Sequence, residues 1–208
     1  MPRAFAEIAF TPSVWAAQEQ NGLATAYAKF LSPELDGGER LTEVEAAFIA
    51  ERDGFYQATV SETGWPYVQI RGGPAGFLKV LDDKTIAYAD FRGNRQYLST
   101  GNLAGDDRIS LILVDYPNRR RLKIWGRARL VDVGDDPELV ARLHDRSYRA
   151  RPERAAIISI EAFDWNCPQH IPRRFTLEEL EPEGSPLHEE LARLREENAR
   201  LKAEQAFA

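Results

Sequence analysis

Between residues 55 and 133 apolar and polar positions alternate in short runs, the period of half-buried strands rather than of helices. The runs are 55–60, 67–71, 77–81, 85–89, 109–115 and 122–133, separated by the turn signals Glu62-Thr63-Gly64, Asp82-Asp83 and Tyr116-Pro117-Asn118. Such a series predicts an antiparallel meander able to close into a barrel, and residues 156–163 supply a last strand. Helical spacing appears on either side. Thr11-Pro12-Ser13 gives a proline-marked start before Val14, Ala17, Leu23 and Tyr27. Residues 42–49 read as a second helix, and Asp135-Asp136-Pro137 begins a third that runs to about Tyr148.

After Pro186 the pattern changes again. Leu187, Leu191, Leu194, Asn198 and Leu201 follow the alternating four- and three-residue steps of a coiled-coil seam, with Glu and Arg around them. Asn198 falls at an a position, where a buried Asn favours a parallel two-stranded register. The same spacing fits a solvated amphipathic helix packed on the body. Three segments result: a helical segment at 1–50 packing on the barrel, a barrel domain at 51–182, and an amphipathic helix at 183–208.

Composition narrows the class. The chain has 208 residues, 43% hydrophobic and 29% charged, enough for one sizeable core. Its net charge of −6 argues against broad nucleic-acid binding, although Arg119-Arg120-Arg121 is locally basic. No apolar run approaches the roughly twenty residues of a membrane helix. The single Cys167 excludes an internal disulfide, and the polar start at Met1-Pro2-Arg3 predicts a cytoplasmic protein.

The chemistry concentrates between Tyr67 and Arg95. Gly72 and Gly73 beside Arg71 would let a ligand lie against a charged strand end. Gly93 would allow a turn into a helix opened by Asn94 and Arg95, whose first amides point outward at the positive end of the helix dipole. A guanidinium beside a helix N-terminus is a phosphate site. The same residues also fit an ordinary hairpin turn with solvated arginines.

Five runs extend the argument: Phe55 to Val60; Gly64 to Pro74; Asp90-Phe91-Arg92-Gly93-Asn94-Arg95-Gln96-Tyr97; Asp106 to Leu113; and Gly126-Arg127-Ala128-Arg129-Leu130. In order and spacing, over residues 50–176, they resemble the FMN-binding split barrels related to pyridoxamine 5′-phosphate oxidase. The resemblance implies a mainly β fold with flanking helices, built on a six-stranded antiparallel split barrel. It also implies a homodimer with each FMN in a groove between subunits. The implied cofactor contacts are Gln69, Ile70, Arg71 and Gly72 on one strand, Ala89 and Asp90 at a turn, and Asn94 and Arg95 at the helix start. Arg121 and Lys123 would come from across the sheet, and Trp165 with Arg174 from the other subunit. Lys79 would take the place of the family's phosphate-binding lysine, or be a solvated strand residue. Trp165 would wall the isoalloxazine ring; by itself a tryptophan there is equally a packing residue.

Substrate residues are less legible. Arg142-Leu143-His144-Asp145-Arg146 looks like the family's substrate signature but precedes the last strand, so His144 reads as a surface or capping residue. His170 follows Trp165 in a proline-bounded loop and is the better candidate, or is bonded to backbone. Cys167 is a reactive thiol or a small buried hydrophobe. No histidine or cysteine spacing suits a metal. Two functions follow: an FMN-dependent oxidoreductase working through flavin N5 on an unidentified small molecule, with a deazaflavin as the alternative cofactor, or a non-catalytic flavin- or tetrapyrrole-binding module whose coiled-coil tail recruits a partner.

Overall fold

The computed structural model describes residues 1–165, 167–180 and 186–206, without the side chains of 178, 186–188, 199, 201 and 203–206. Asn166, the expected boundary at Pro182 and the Leu187 and Leu201 side chains therefore lie outside the described residues. The chain forms two compact units. One comprises Met1–Asp115 with Arg120–Gln169, the other Tyr116–Arg119 with His170–Ala208.

The first unit begins with helices α1 (Arg3–Ala9), α2 (Pro12–Gln20), α3 (Ala24–Ala28) and α4 (Glu43–Ala50). Thr11 caps α2 by accepting from Val14 N, as the Thr-Pro start predicts. The expected continuous helix through Tyr27 instead breaks at Asn21-Gly22, where Gly22 has φ 69°. Helix α4 is fixed by a capping box: Thr42 N and Oγ1 both donate to Glu45 Oε2, and Val44 N donates back to Thr42 Oγ1.

Strands β1 (Gly54–Val60), β2 (Pro66–Gly72), β3 (Lys79–Asp82), β4 (Thr85–Phe91), β5 (Arg108–Asp115), β6 (Arg120–Asp132) and β7 (Pro152–Trp165) form one antiparallel sheet in the order β2-β1-β5-β6-β7-β4-β3. Seven strands appear where the split barrel predicted six, because the short β3 pairs along the edge of β4. The sheet is strongly wrapped. Strands β1 and β4 are four places apart, about 19 Å in a flat sheet. Yet Phe55 on β1 and Tyr88 on β4 have ring centroids 5.4 Å apart, and Tyr88 Oη donates to Gln57 Oε1 at 2.5 Å. Their meeting surface is the main core, filled by Phe48, Phe55, Phe77, Leu111, Leu122 and Ile158.

Two further helices complete this unit, α5 (Leu98–Gly105) and α6 (Pro137–Leu143). Helix α6 covers a smaller core of Ala87, Ala89, Val140, Leu143, Ala155 and Ile157. It stops short of the expected Tyr148 because Asp145 accepts from both Ser147 N and Ser147 Oγ, holding a turn that competes with the helix. His144 is its C-cap, with Nε2 3.0 Å from Tyr148 O, which is the capping role its position predicted.

The second unit contains α7 (Leu177–Leu180) and the 21-residue α8 (Pro186–Ala206). Thr176 and Glu179 cap α7 reciprocally. The Arg174 guanidinium lies 4.9 Å from the centre of the Tyr116 ring.

Candidate functional site

A cleft of about 250 Å³ opens where β2, β4, β7 and the start of α5 converge. Strand β2 brings Gln69 and Arg71 to it in an unusual way. Along β2 the half-buried positions are Tyr67, Gln69 and Arg71, while Val68 and Ile70 are 60% and 67% exposed. The strand thus turns its polar side inward and its apolar side out, the reverse of a solvent-facing strand.

Arg71 reaches across the wrapped sheet to β4, where Nη1 donates to Asp90 Oδ1 at 2.6 Å. Asp90 is buried and shared: Arg154 on β7 donates from Nη1 to its Oδ2 at 3.2 Å. The strand register explains this. Arg154 stands directly opposite Asp90 on one neighbour and Asp132 on the other, and Nε also donates to Asp132 at 3.2 Å. Burial works against the charge on Arg154, but the hydrogen bonds it donates to Asp132 and Asp90, with the attraction of both charges, outweigh it and hold its pKa above the usual arginine value.

Helix α5 is pinned from three sides. Gln69 donates to Ser99, Asn102 donates to Thr59 at 3.0 Å, and Arg154 donates to Thr100 at 3.0 Å. Its N-cap, Tyr97, is left-handed (φ 52°) and gives no side-chain cap, so the first turn, Leu98 to Thr100, presents uncapped amides where it lines the cleft. In the preceding loop Asn94 Oδ1 accepts from Gln96 N, and Arg95 is exposed with φ 63°. Positive φ is therefore carried by Arg95 and Tyr97, not by Gly93, at which an added Cβ would meet nothing within 4 Å. The helix itself begins at Leu98, later than Asn94 and Arg95 suggested.

Three guanidiniums (Arg71, Arg95, Arg154) line the cleft against two carboxylates (Asp90, Glu153), a local positive balance on a chain of net charge −6. Arg71 Nε is buried with no hydrogen-bond partner. A buried, unpaired donor on a charged group costs about 1–3 kcal/mol, and an oxyanion is the group that would satisfy it.

Of the residues expected to hold a cofactor, the cleft gathers Gln69, Ile70, Arg71, Asp90, Asn94 and Arg95. The others lie elsewhere. Gly72 ends β2, and the neighbouring Gly73 makes room for the core, since a Cβ there would come 2.7 Å from Phe77 Cγ. Ala89 is buried in the core beneath α6. Lys79 pairs with Ala87 on the edge strand. Lys123 is bonded to Asp164 at 2.9 Å and lies over the Phe5 ring, whereas Arg121 has a buried Nε without a partner. Trp165 is engaged within its own chain: Nε1 donates to Glu45 Oε1 at 2.7 Å, Phe48 packs edge-on at 4.8 Å, and the Arg120 guanidinium covers it at 4.9 Å. His170 and Cys167 are exposed. Ser99, Thr100, Tyr97, Glu153 and Arg154 were not anticipated. The first two follow from a helix start moved to Leu98; Arg154 needs the β4–β7 register, which no local pattern carries.

No curated protein matches the chain. Among solved structures, HupZ of Group A Streptococcus is similar at TM-score 0.50 and 19% identity, over 65% of this chain and 99% of that one. An FMN-binding protein of Syntrophomonas wolfei gives 0.47 and 14%, over 72% and 97%. HutZ, the heme storage protein of Vibrio cholerae, gives 0.38 and 16%, over 60% and 94%. The pyridoxamine 5′-phosphate oxidase profile matches residues 41–166, more than half of the sequence and the whole of the wrapped sheet, and the chain belongs to that family.

Proposed function

We propose that the protein is an FMN-dependent oxidoreductase that works as a homodimer, with the flavin phosphate held in the cleft between β2, β4 and α5. The observation that carries this is Arg71: a guanidinium braced by Asp90, with a buried unpartnered Nε, facing an uncapped helix start. A terminal monophosphate supplies acceptor oxygens for that donor, for the amides of Leu98 to Thr100 and for Arg95. Asp90 and Arg154 fix the orientation of Arg71, so little ordering is needed when the anion arrives. Gln69, held by Ser99, stands beside it for the polar chain that follows the phosphate.

A cleft of this size is smaller than a typical cofactor pocket of roughly 300–1,000 Å³. The homodimer supplies the remainder. The outer face of β2 and its neighbours presents Val68 and Ile70, with Val68 opposite Ala58 and Ile70 opposite Tyr56, which is opposite Ile112. An exposed apolar sheet face beside a polar cleft supports pairing with a second copy, in which Arg121 would also gain a partner. The bound flavin supplies hydride exchange at N5, and the protein orients it and tunes its electronics. The substrate is a small molecule.

The test is the absorption spectrum of the purified protein and the mass of what it releases on denaturation. FMN with flavin bands, and turnover of reduced nicotinamide, support the reading. A Soret band, or a colourless protein that cannot be loaded with FMN, overturns it.

A further inference from the structure

Helix α8 carries a charge pattern that specifies its own partner. Placing Asn198 at a puts Leu191 at a and Leu194 at d, with Leu187 and Leu201 at d by sequence spacing. Among the described side chains, Leu191, Leu194 and Asn198 share a shallow furrow on one side of the helix, flanked by Arg195 and Lys202. Leu194 is 48% exposed. Arg195 and Lys202 occupy e positions. The g positions carry Glu190 and Glu197, which within one helix bond to Arg193 at 2.7 and 3.4 Å, and the side away from the furrow presents Arg193, Glu196, Glu197 and Arg200.

That arrangement decides orientation. In a parallel in-register pair each g residue faces the e residue five positions on in the other helix, so Glu190 meets Arg195 and Glu197 meets Lys202, twice over by symmetry. In an antiparallel pair g faces g and e faces e, which sets glutamate against glutamate and cation against cation. The seam Asn also prefers a copy of itself across the interface, where its amide is paired instead of buried in apolar surroundings.

We propose that α8 pairs with the α8 of a second copy as a parallel, in-register two-stranded coiled coil. Its 21 residues span about 31 Å, three heptads, short for a free zipper. Tethering to paired bodies raises the effective concentration of the tails and closes it. Only that tethering rests on the homodimer of the proposed function.

The test is cysteine trapping in the full chain, in a Cys167→Ser background because Cys167 is exposed. Asn198→Cys places facing thiols at one a layer, where a parallel in-register pair brings them within disulfide reach. Arg193→Cys, on the outer side, is the control. Mild oxidation should give at least about tenfold more covalent dimer at 198 than at 193. Equal yields, or none at 198, overturn the inference. A second arm uses charge: a Glu190→Lys/Glu197→Lys chain and an Arg195→Glu/Lys202→Glu chain, both with Asn198→Cys, are co-expressed with different tags. The parallel pairing predicts that mixed crosslinked dimers exceed the statistical half. A statistical mixture refutes the g–e′ pairing. Flavin content is read on the same samples, so a tail that crosslinks without bound FMN sinks the proposed cofactor and leaves this inference standing.

Discussion

Replacing Arg71 by Met removes the guanidinium while keeping most of the side chain's apolar stem, so it tests whether this residue binds an anion or only braces the barrel. Two effects are expected and they have different sizes. The ion pair with Asp90 is short, 2.6 Å, with the two side chains 21% and 7% exposed. That places it between surface pairs, worth about 0–1 kcal/mol, and buried ones, whose disruption costs about 3–5 kcal/mol. Asp90 is not orphaned by the change, because Arg154 still donates to it at 3.2 Å. A loss of about 1–2 kcal/mol in the apoprotein follows, which for a chain of this length lowers Tm by roughly 3–6 °C. Binding loses more. A phosphate deprived of charge-assisted bonds from Arg71 forfeits about 1.5–3 kcal/mol, or roughly ten- to hundredfold in Kd. Flavin fluorescence titration measures the second effect and thermal unfolding of the apoprotein the first. A lower Tm with unchanged FMN affinity would refute the anion site and leave Arg71 as a strut.

Arg95→Ala should weaken FMN binding about tenfold without moving Tm, since its guanidinium is exposed and its bond to Tyr97 Oη is long, 3.4 Å; unchanged affinity would return it to the solvated turn. Glu45 gives a pH prediction. Burial pushes its carboxyl upward, but bonds from the Thr42 hydroxyl and the Trp165 indole outweigh this and hold it below its usual 4.5. A lowered folded-state value stabilises above about pH 4.5 and is lost as pH falls through that folded value, so the wild type should lose stability in acid more steeply than Glu45→Gln. Coincident slopes in unfolding midpoint against pH would show that the bonds carry no linkage. Truncation after Pro182 should leave FMN bound and the dimer intact at micromolar concentration while lowering its resistance to dilution, and Asn198→Leu should keep or raise stability but admit higher oligomers. Light scattering and flavin content read both, and a truncated protein without flavin would show that the tail builds the site.

Several elements were legible locally. The strands β5 and β6 show in the sequence because inner positions such as Ile109, Leu111 and Leu113, or Leu122, Ile124 and Ala128, are apolar in alternation, and that period depends on the backbone alone. Helix α4 is announced by Thr42-Glu43-Val44-Glu45, whose first and last residues cap it reciprocally, and α2 by Thr11-Pro12, since capping bonds span only three residues. Arg71, Asn94 and Arg95 stood out as candidate anion ligands for the same reason: charge and turn chemistry lie within one short stretch. Their convergence was not legible. Whether β2 turns Arg71 or Ile70 inward depends on which face its neighbours cover, and a strand's period is indifferent to that choice. Trp165 looked as free to meet a flavin as to pack; only the position of α4 gives its indole to Glu45. Arg154 lies 64 residues from Asp90 and 83 from Arg71, and joins them because the β4–β7 register and the wrapping of the sheet put three strands at one cleft. Local sequence determines what each segment can be through short-range sterics and hydrogen bonding. The contents of the cleft are decided by pairings between distant strands, whose energy exists only once the whole sheet has closed.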